Sequence, residues 1–210
     1  MPDTTVHHLH VSWHSAWHAL GLPGDNTALR DQLVARYAEP HRKYHTLQHL
    51  GECIAMLGRY PGQPDHPGEV EMALWFHDAI YDIGVPGNEE RSALWARAEL
   101  EAAGVSAAVA RRLHAMVMAT RHDVVPQTAD EQLLIDVDLS ILGAAPARFD
   151  EYEVQVRREY SAVPDGDFQR RRKQILLGFL ARPAIYGTAF FSCLLEAQAR
   201  KNLSASIARL

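Results

Sequence analysis

Apolar residues recur along this chain at helical spacing, and the apolar–polar alternation of a half-buried strand is nearly absent. The first stretch, from about Leu9 to Leu20, ends at Gly21-Leu22-Pro23-Gly24. The same period predicts helices over residues 27–39, 44–60, 69–82, 89–103, 107–120, 130–142, 147–160, 168–180 and 185–208, with breaks at prolines and glycines. Asn88 is placed to cap the helix from 89, with Glu89 and Glu90 in its first turn. The 69–82 segment is apolar around nearly its whole circumference, so it belongs at the centre of the fold. The expectation is an all-α bundle of nine or ten helices forming a single domain over residues 1–210.

Composition changes that picture little. At 210 residues and 47% hydrophobic content, the chain can bury a sizeable core without disulfides or a structural metal. A formal net charge of −5 gives no basic footprint, so no nucleic-acid partner is expected. Cys53 and Cys193 stand far apart in apolar surroundings and read as small buried hydrophobes of a reducing compartment. No basic-then-apolar secretion signal opens the chain and no segment has the length of a membrane span, so a cytoplasmic location without membrane contact is expected.

Histidine is the anomaly, with 12 residues. His is the commonest metal ligand and the usual acid–base group near neutrality. His77-Asp78 interrupts the apolar run 74–80, and burying an imidazole beside a carboxylate is unfavourable unless both find partners. A cation satisfies both at once; hydrogen bonds to other helices are the alternative. His45 and His49 stand at i and i+4, on one face of a helix and about one turn apart, so both could reach one site. That spacing matches a zinc-protease motif, but Thr46 stands where its glutamate should be. Asp136 and Asp138 interrupt a third apolar run, 133–142. Two residues apart on a helix point about 200° from each other, so one faces a site while the other is exposed or caps something.

Taken in order, the His, the His-Asp dipeptide and the later Asp resemble the signature of the HD superfamily of metal-dependent phosphohydrolases, over about residues 42–142. The wording Tyr-His-x-x-x-His, His-Asp and Asp-Leu-Ser is similar to the cyclic-nucleotide phosphodiesterase branch. The whole chain, through Asn88-Glu89-Glu90-Arg91-Ser92 and Val156-Arg157-Arg158-Glu159-Tyr160, is similar to a small bacterial group of HD phosphohydrolases of unassigned substrate. The resemblance implies an HD-type metal-site core at about 42–142 and a C-terminal helical extension at about 146–208. It implies His49, His77, Asp78 and Asp138 as metal ligands, with Asp136 as the fallback for the last, and His45 as the proton donor. Asp78 is counted with His45 among the catalytic residues.

The ligand set suits a divalent Mn, Fe, Co, Ni, Zn or Mg ion without choosing among them, and a second ion stays open if Asp78 bridges. The implied reaction is hydrolysis of a small-molecule phosphate ester or anhydride, nucleotide-like in character, by metal-activated water. The alternative is a non-catalytic HD fold that senses a nucleotide or other ligand. Arg42, His122 and Arg157 are candidates to hold the substrate, with Tyr160 beside Arg157. A cationic His122 equally suits a helix end. Glu89 is a candidate to orient water. His14 and His18 are set aside as a partly exposed helix face, and a homo-oligomer is left open.

Overall fold

The computed structural model describes residues 3–123 and 125–210. Among them are ten α-helices and no strand, which is the expected all-α class. The helices are α1 (Asp3–Ala19), α2 (Thr27–Tyr37), α3 (Leu47–Leu57), α4 (Pro67–Phe76), α5 (Asn88–Ala103), α6 (Ala107–Ala119), α7 (Ala129–Asp138), α8 (Pro146–Glu159), α9 (Asp165–Leu180) and α10 (Ala189–Arg209). A 3-10 turn, Leu139–Gly143, follows α7. No described helix is long and apolar enough to cross a membrane. The contacts divide into two units, one reaching Ile135 and the other running from Asp136 to Leu210.

In the first unit, the all-round apolar helix sits at the centre. α4 buries Val70, Met72, Ala73, Leu74, Trp75 and Phe76, and α1, α3, α5 and α6 all pack against it. Val70, Met72, Leu74 and Phe76 each contribute about 1.5–3 kcal/mol by leaving water. Gly68 permits the tightest approach: a Cβ there would lie 2.5 Å from the Cβ of Ala19 on α1. Trp13 stacks on Trp17 at 5.5 Å between ring centroids and meets Trp75 edge-on at 5.2 Å, joining α1 to α4.

The second unit is organised by α10. Phe191, Leu195, Ala199 and Leu203, spaced by four, form its buried stripe. A Cβ on Gly143 would lie 2.6 Å from the Cβ of Leu195, so glycine lets the 3-10 turn close onto α10. Asn202 clamps that turn, donating to Leu142 O at 2.9 Å and Ala144 O at 2.8 Å. The helix expected from residue 185 begins at Ala189 instead. Ile185 and Tyr186 donate their N–H groups to the Glu196 carboxylate, while Gly187 and Thr188 donate theirs to Asp136. Those amides are therefore held by side chains outside any helical ladder.

Candidate metal centre

Two helix ends build the centre, and each departs from the expected boundary. The helix expected over residues 44–60 starts only at Leu47, because Thr46 is its N-cap and accepts from Gln48 N. His49 therefore stands in the first turn of α3, and His45 lies in the preceding turn, not on the same helical face. The helix expected to run to Asp82 stops at Phe76. No glycine or proline ends it. The His77 ring folds back so that Nδ1 donates to Leu74 O at 2.7 Å, the carbonyl a continuing helix would offer to Asp78 N. Asp78 N donates to the buried Tyr37 hydroxyl at 3.3 Å instead, and that hydroxyl reaches Trp75 O at 3.3 Å. Burial pushes the Tyr37 phenol well above its ordinary pKa, so it remains a neutral donor and acceptor.

Released from the helical period, His77 and Asp78 both meet His49. His49 Nε2 lies 3.1 Å from His77 Nε2, His77 Nε2 lies 3.1 Å from Asp78 Oδ2, and His49 Nε2 lies 3.5 Å from the same oxygen. A carbonyl only accepts, so the bond to Leu74 O fixes the proton of a neutral His77 on Nδ1 and leaves its Nε2 a lone pair. That lone pair faces a second imidazole nitrogen and a carboxylate oxygen among buried side chains, an arrangement that needs a shared proton or a cation. The separations suit a cation. Ligand atoms about 2.1 Å from one ion, spread between right angles and the tetrahedral angle, stand roughly 3.0–3.4 Å apart.

Cys53, one turn along α3, is buried with its Sγ 3.6 Å from Nδ1 and 3.8 Å from Nε2 of His49. The thiol thus belongs to the same buried cluster of metal-binding groups as His49 and His77. Near-equal distances to both ring nitrogens put it beside the ring, not along the Nε2 lone pair. Burial pushes the Asp78 carboxyl up, but the imidazoles of His77, then His45 and His49, beside it outweigh that. The carboxyl is held well below the usual range.

The His45 ring stacks on Tyr81 with centroids 3.9 Å apart, meets Tyr44 edge-on at 4.8 Å, and lies 5.9 Å from the His49 ring. His41 Nε2 donates to Tyr81 O at 2.7 Å and steadies that platform. Tyr37, Tyr44, Cys53 and Tyr81 are the residues that sequence reasoning missed. Only Tyr44 carried a signal, as the neighbour of His45.

Arg42, expected to hold a phosphate, is engaged within the fold. Its guanidinium is buried, donating to Asp78 O at 2.5 Å, Ala79 O at 3.0 Å, His45 O at 3.3 Å and Glu39 Oε2 at 3.1 Å. It pins the His45 turn to the Asp78 turn. The 88–92 segment holds the same stretch from α5. Ser92 Oγ accepts from Ile80 N at 2.9 Å, Asn88 exchanges two bonds with the Asp82 backbone, and Arg91 pairs with the Asp82 carboxylate at 2.8 Å. Gly87, in the left-handed region at φ +79°, caps α5, and Asn88 is its first helical residue, not its cap.

The remaining expected residues fall elsewhere. His122 follows the end of α6, half-buried, with a left-handed φ of +58°. In the second unit, Arg157 is engaged in the α8–α9 connection. It donates to Tyr160 O at 2.6 Å, Val163 O at 3.1 Å and Asp165 Oδ1 at 2.6 Å, over the Phe168 ring. Asp136 is fully buried, and its two oxygens accept from Gly187 N at 2.9 Å and Thr188 N at 2.7 Å. Asp138 ends α7, half-buried. A groove of about 800 Å³ beside α2 and α3 is lined by Glu39, Lys43, Gln48 and Glu52 and by none of the three converging donors, so donor chemistry rather than groove size locates the centre. The chain matches no protein-family model, no curated protein and no solved structure.

Proposed function

We propose that the chain is a metal-dependent phosphohydrolase of the HD type, acting on a phosphate ester or anhydride of a small, nucleotide-like molecule. One observation carries the reading: two imidazole nitrogens and a carboxylate oxygen converge at 3.1, 3.1 and 3.5 Å, with the His77 tautomer set by Leu74 O. His49, His77 and Asp78 would hold one divalent ion. Asp138 is the fourth ligand on the strength of the resemblance, and the engagement of Asp136 with two backbone amides supports choosing Asp138 over it. A bound ion of this kind acidifies water near neutral pH and neutralises charge on phosphoryl oxygens.

The chain's own groups do the rest. His45, with its ring held by Tyr81, donates a proton to the departing oxygen. Leu74 O and Arg42 hold His77 and the Asp78 turn before substrate arrives, so little reorganisation is needed during reaction. A reducing, cytoplasmic location is part of this reading, on the buried Cys53 thiol; Cys193 is exposed, not buried as its apolar surroundings in sequence predict.

The test is phosphate release from a panel of nucleotides and phosphomonoesters by metal-stripped protein, with Mn, Co, Ni, Mg or Zn restored. Turnover that depends on the added ion supports the hydrolase and narrows its substrate. No turnover with any ion, while a nucleotide raises the melting temperature, overturns the hydrolase in favour of a sensor.

A further inference from the structure

Helix α1 carries the dipeptide Trp-His twice, as Trp13-His14 and Trp17-His18, four residues apart. Residues four apart share a helical face, so the repeat makes two parallel stripes. The indoles are buried and the imidazoles exposed. Both stripes act on the same loop, between α1 and α2. Trp13 Nε1 donates to Asp25 O at 2.6 Å, and Trp17 Nε1 donates to Pro23 O at 3.1 Å. Gly24 takes a left-handed φ of +64°, and Asn26 caps α2 by accepting from Leu29 N at 3.3 Å. Held at both ends, the loop presents the Asp25 carboxylate to the imidazoles. Asp25 Oδ1 lies 2.8 Å from His14 Nδ1 and 3.2 Å from His18 Nε2, and the two rings are 4.3 Å apart.

We propose that His14, His18 and Asp25 form a second metal site, for a divalent transition ion such as zinc, nickel or copper, that staples the 20–26 loop to α1. One ligand atom from each residue lies within 4.8 Å of the others. Two imidazoles and one carboxylate are the donors such ions prefer, whereas magnesium and calcium seek oxygen-only sets. Of the two separations, 3.2 Å falls in the range of adjacent ligands of one ion, and 2.8 Å is short of it by about 0.2 Å, a shift that a turn of the exposed His14 ring supplies. His10, next in the stripe, faces Arg30 Nη1 at 2.6 Å and is not part of the set. The three side chains are about half exposed, which leaves the remaining coordination positions to water.

Calorimetric titration of metal-stripped full-length protein with zinc tests the site. Wild type is expected to bind one equivalent more than the His14→Ala/His18→Ala double variant, and magnesium is expected not to occupy that equivalent. Asp25→Asn, which keeps a hydrogen-bond acceptor and removes the charge, is expected to weaken that site by roughly tenfold or more. Equal stoichiometry in wild type and double variant overturns the site. Wild-type affinity in Asp25→Asn overturns the three-donor arrangement. Failure of the buried centre reads differently, as loss of the equivalent that the double variant retains and that Asp78→Ala removes.

Discussion

Two sets of the same composition, two histidines and an aspartate, lie in the first unit, and they are built in opposite ways. His49, His77 and Asp78 come from helix ends 28 residues apart in sequence, the histidines fully buried and Asp78 largely so. His14, His18 and Asp25 come from one helix face and the loop after it, all exposed. In the exposed set each imidazole can turn to water, so an absent ion costs little. In the buried set two ring nitrogens and a carboxylate oxygen share a space that water does not easily reach, and the tautomer of one ring is already fixed by a backbone carbonyl. Desolvation makes the second arrangement unfavourable without a cation and makes electrostatic interactions there stronger with one. That difference is why the proposed chemistry belongs to the buried set and the proposed staple to the exposed one.

The contrast is broken most severely at Asp78. Asp78→Ala should lower metal-dependent phosphate release by well over the roughly 100-fold typical of losing an outer-shell partner, and should remove one equivalent of bound ion. His45→Ala should lower kcat by roughly 10²–10⁴-fold while leaving ion stoichiometry unchanged, a split that a mere packing role would not give. Acid should empty the buried set, because protons compete with the ion for its imidazole donors and ion affinity falls as pH drops. The sign for Asp78 excludes it as the cause. A depressed carboxyl contributes its stability in full above about pH 4 and loses it only as pH falls through its lower folded value. A titration of ion affinity between pH 5 and 8 checks this, and a flat profile would contradict it.

Arg42→Lys should cost about 2 kcal/mol in urea unfolding, because an ammonium cannot reproduce the fork that reaches Asp78 O and Ala79 O together. Smallest of all, His14→Ala/His18→Ala should leave phosphate release unchanged while losing one zinc equivalent.

The sequence made the centre legible where local pattern decides it. An all-round apolar helix reads as central, and α4 is surrounded by four others. The His-Asp dipeptide inside that run reads as a pair needing a partner, and it meets His49. What ends α4 was not legible, because Tyr37 and the folded-back His77 ring act there and neither leaves a glycine or proline. Arg42 read as a phosphate hook because it precedes the histidine pair. Its carbonyl partners, 36 and 37 residues on, exist only once the chain is folded. The His14–His18 spacing was visible, but the reach of Asp25 depends on two indole N–H groups that hold its loop.

The central claim is that the buried donors hold the ion, and anomalous diffraction from crystals soaked in manganese tests it most directly. A peak bonded to His49 Nε2, His77 Nε2 and Asp78 is the expected result. No peak there, or one confined to His14, His18 and Asp25, would contradict it.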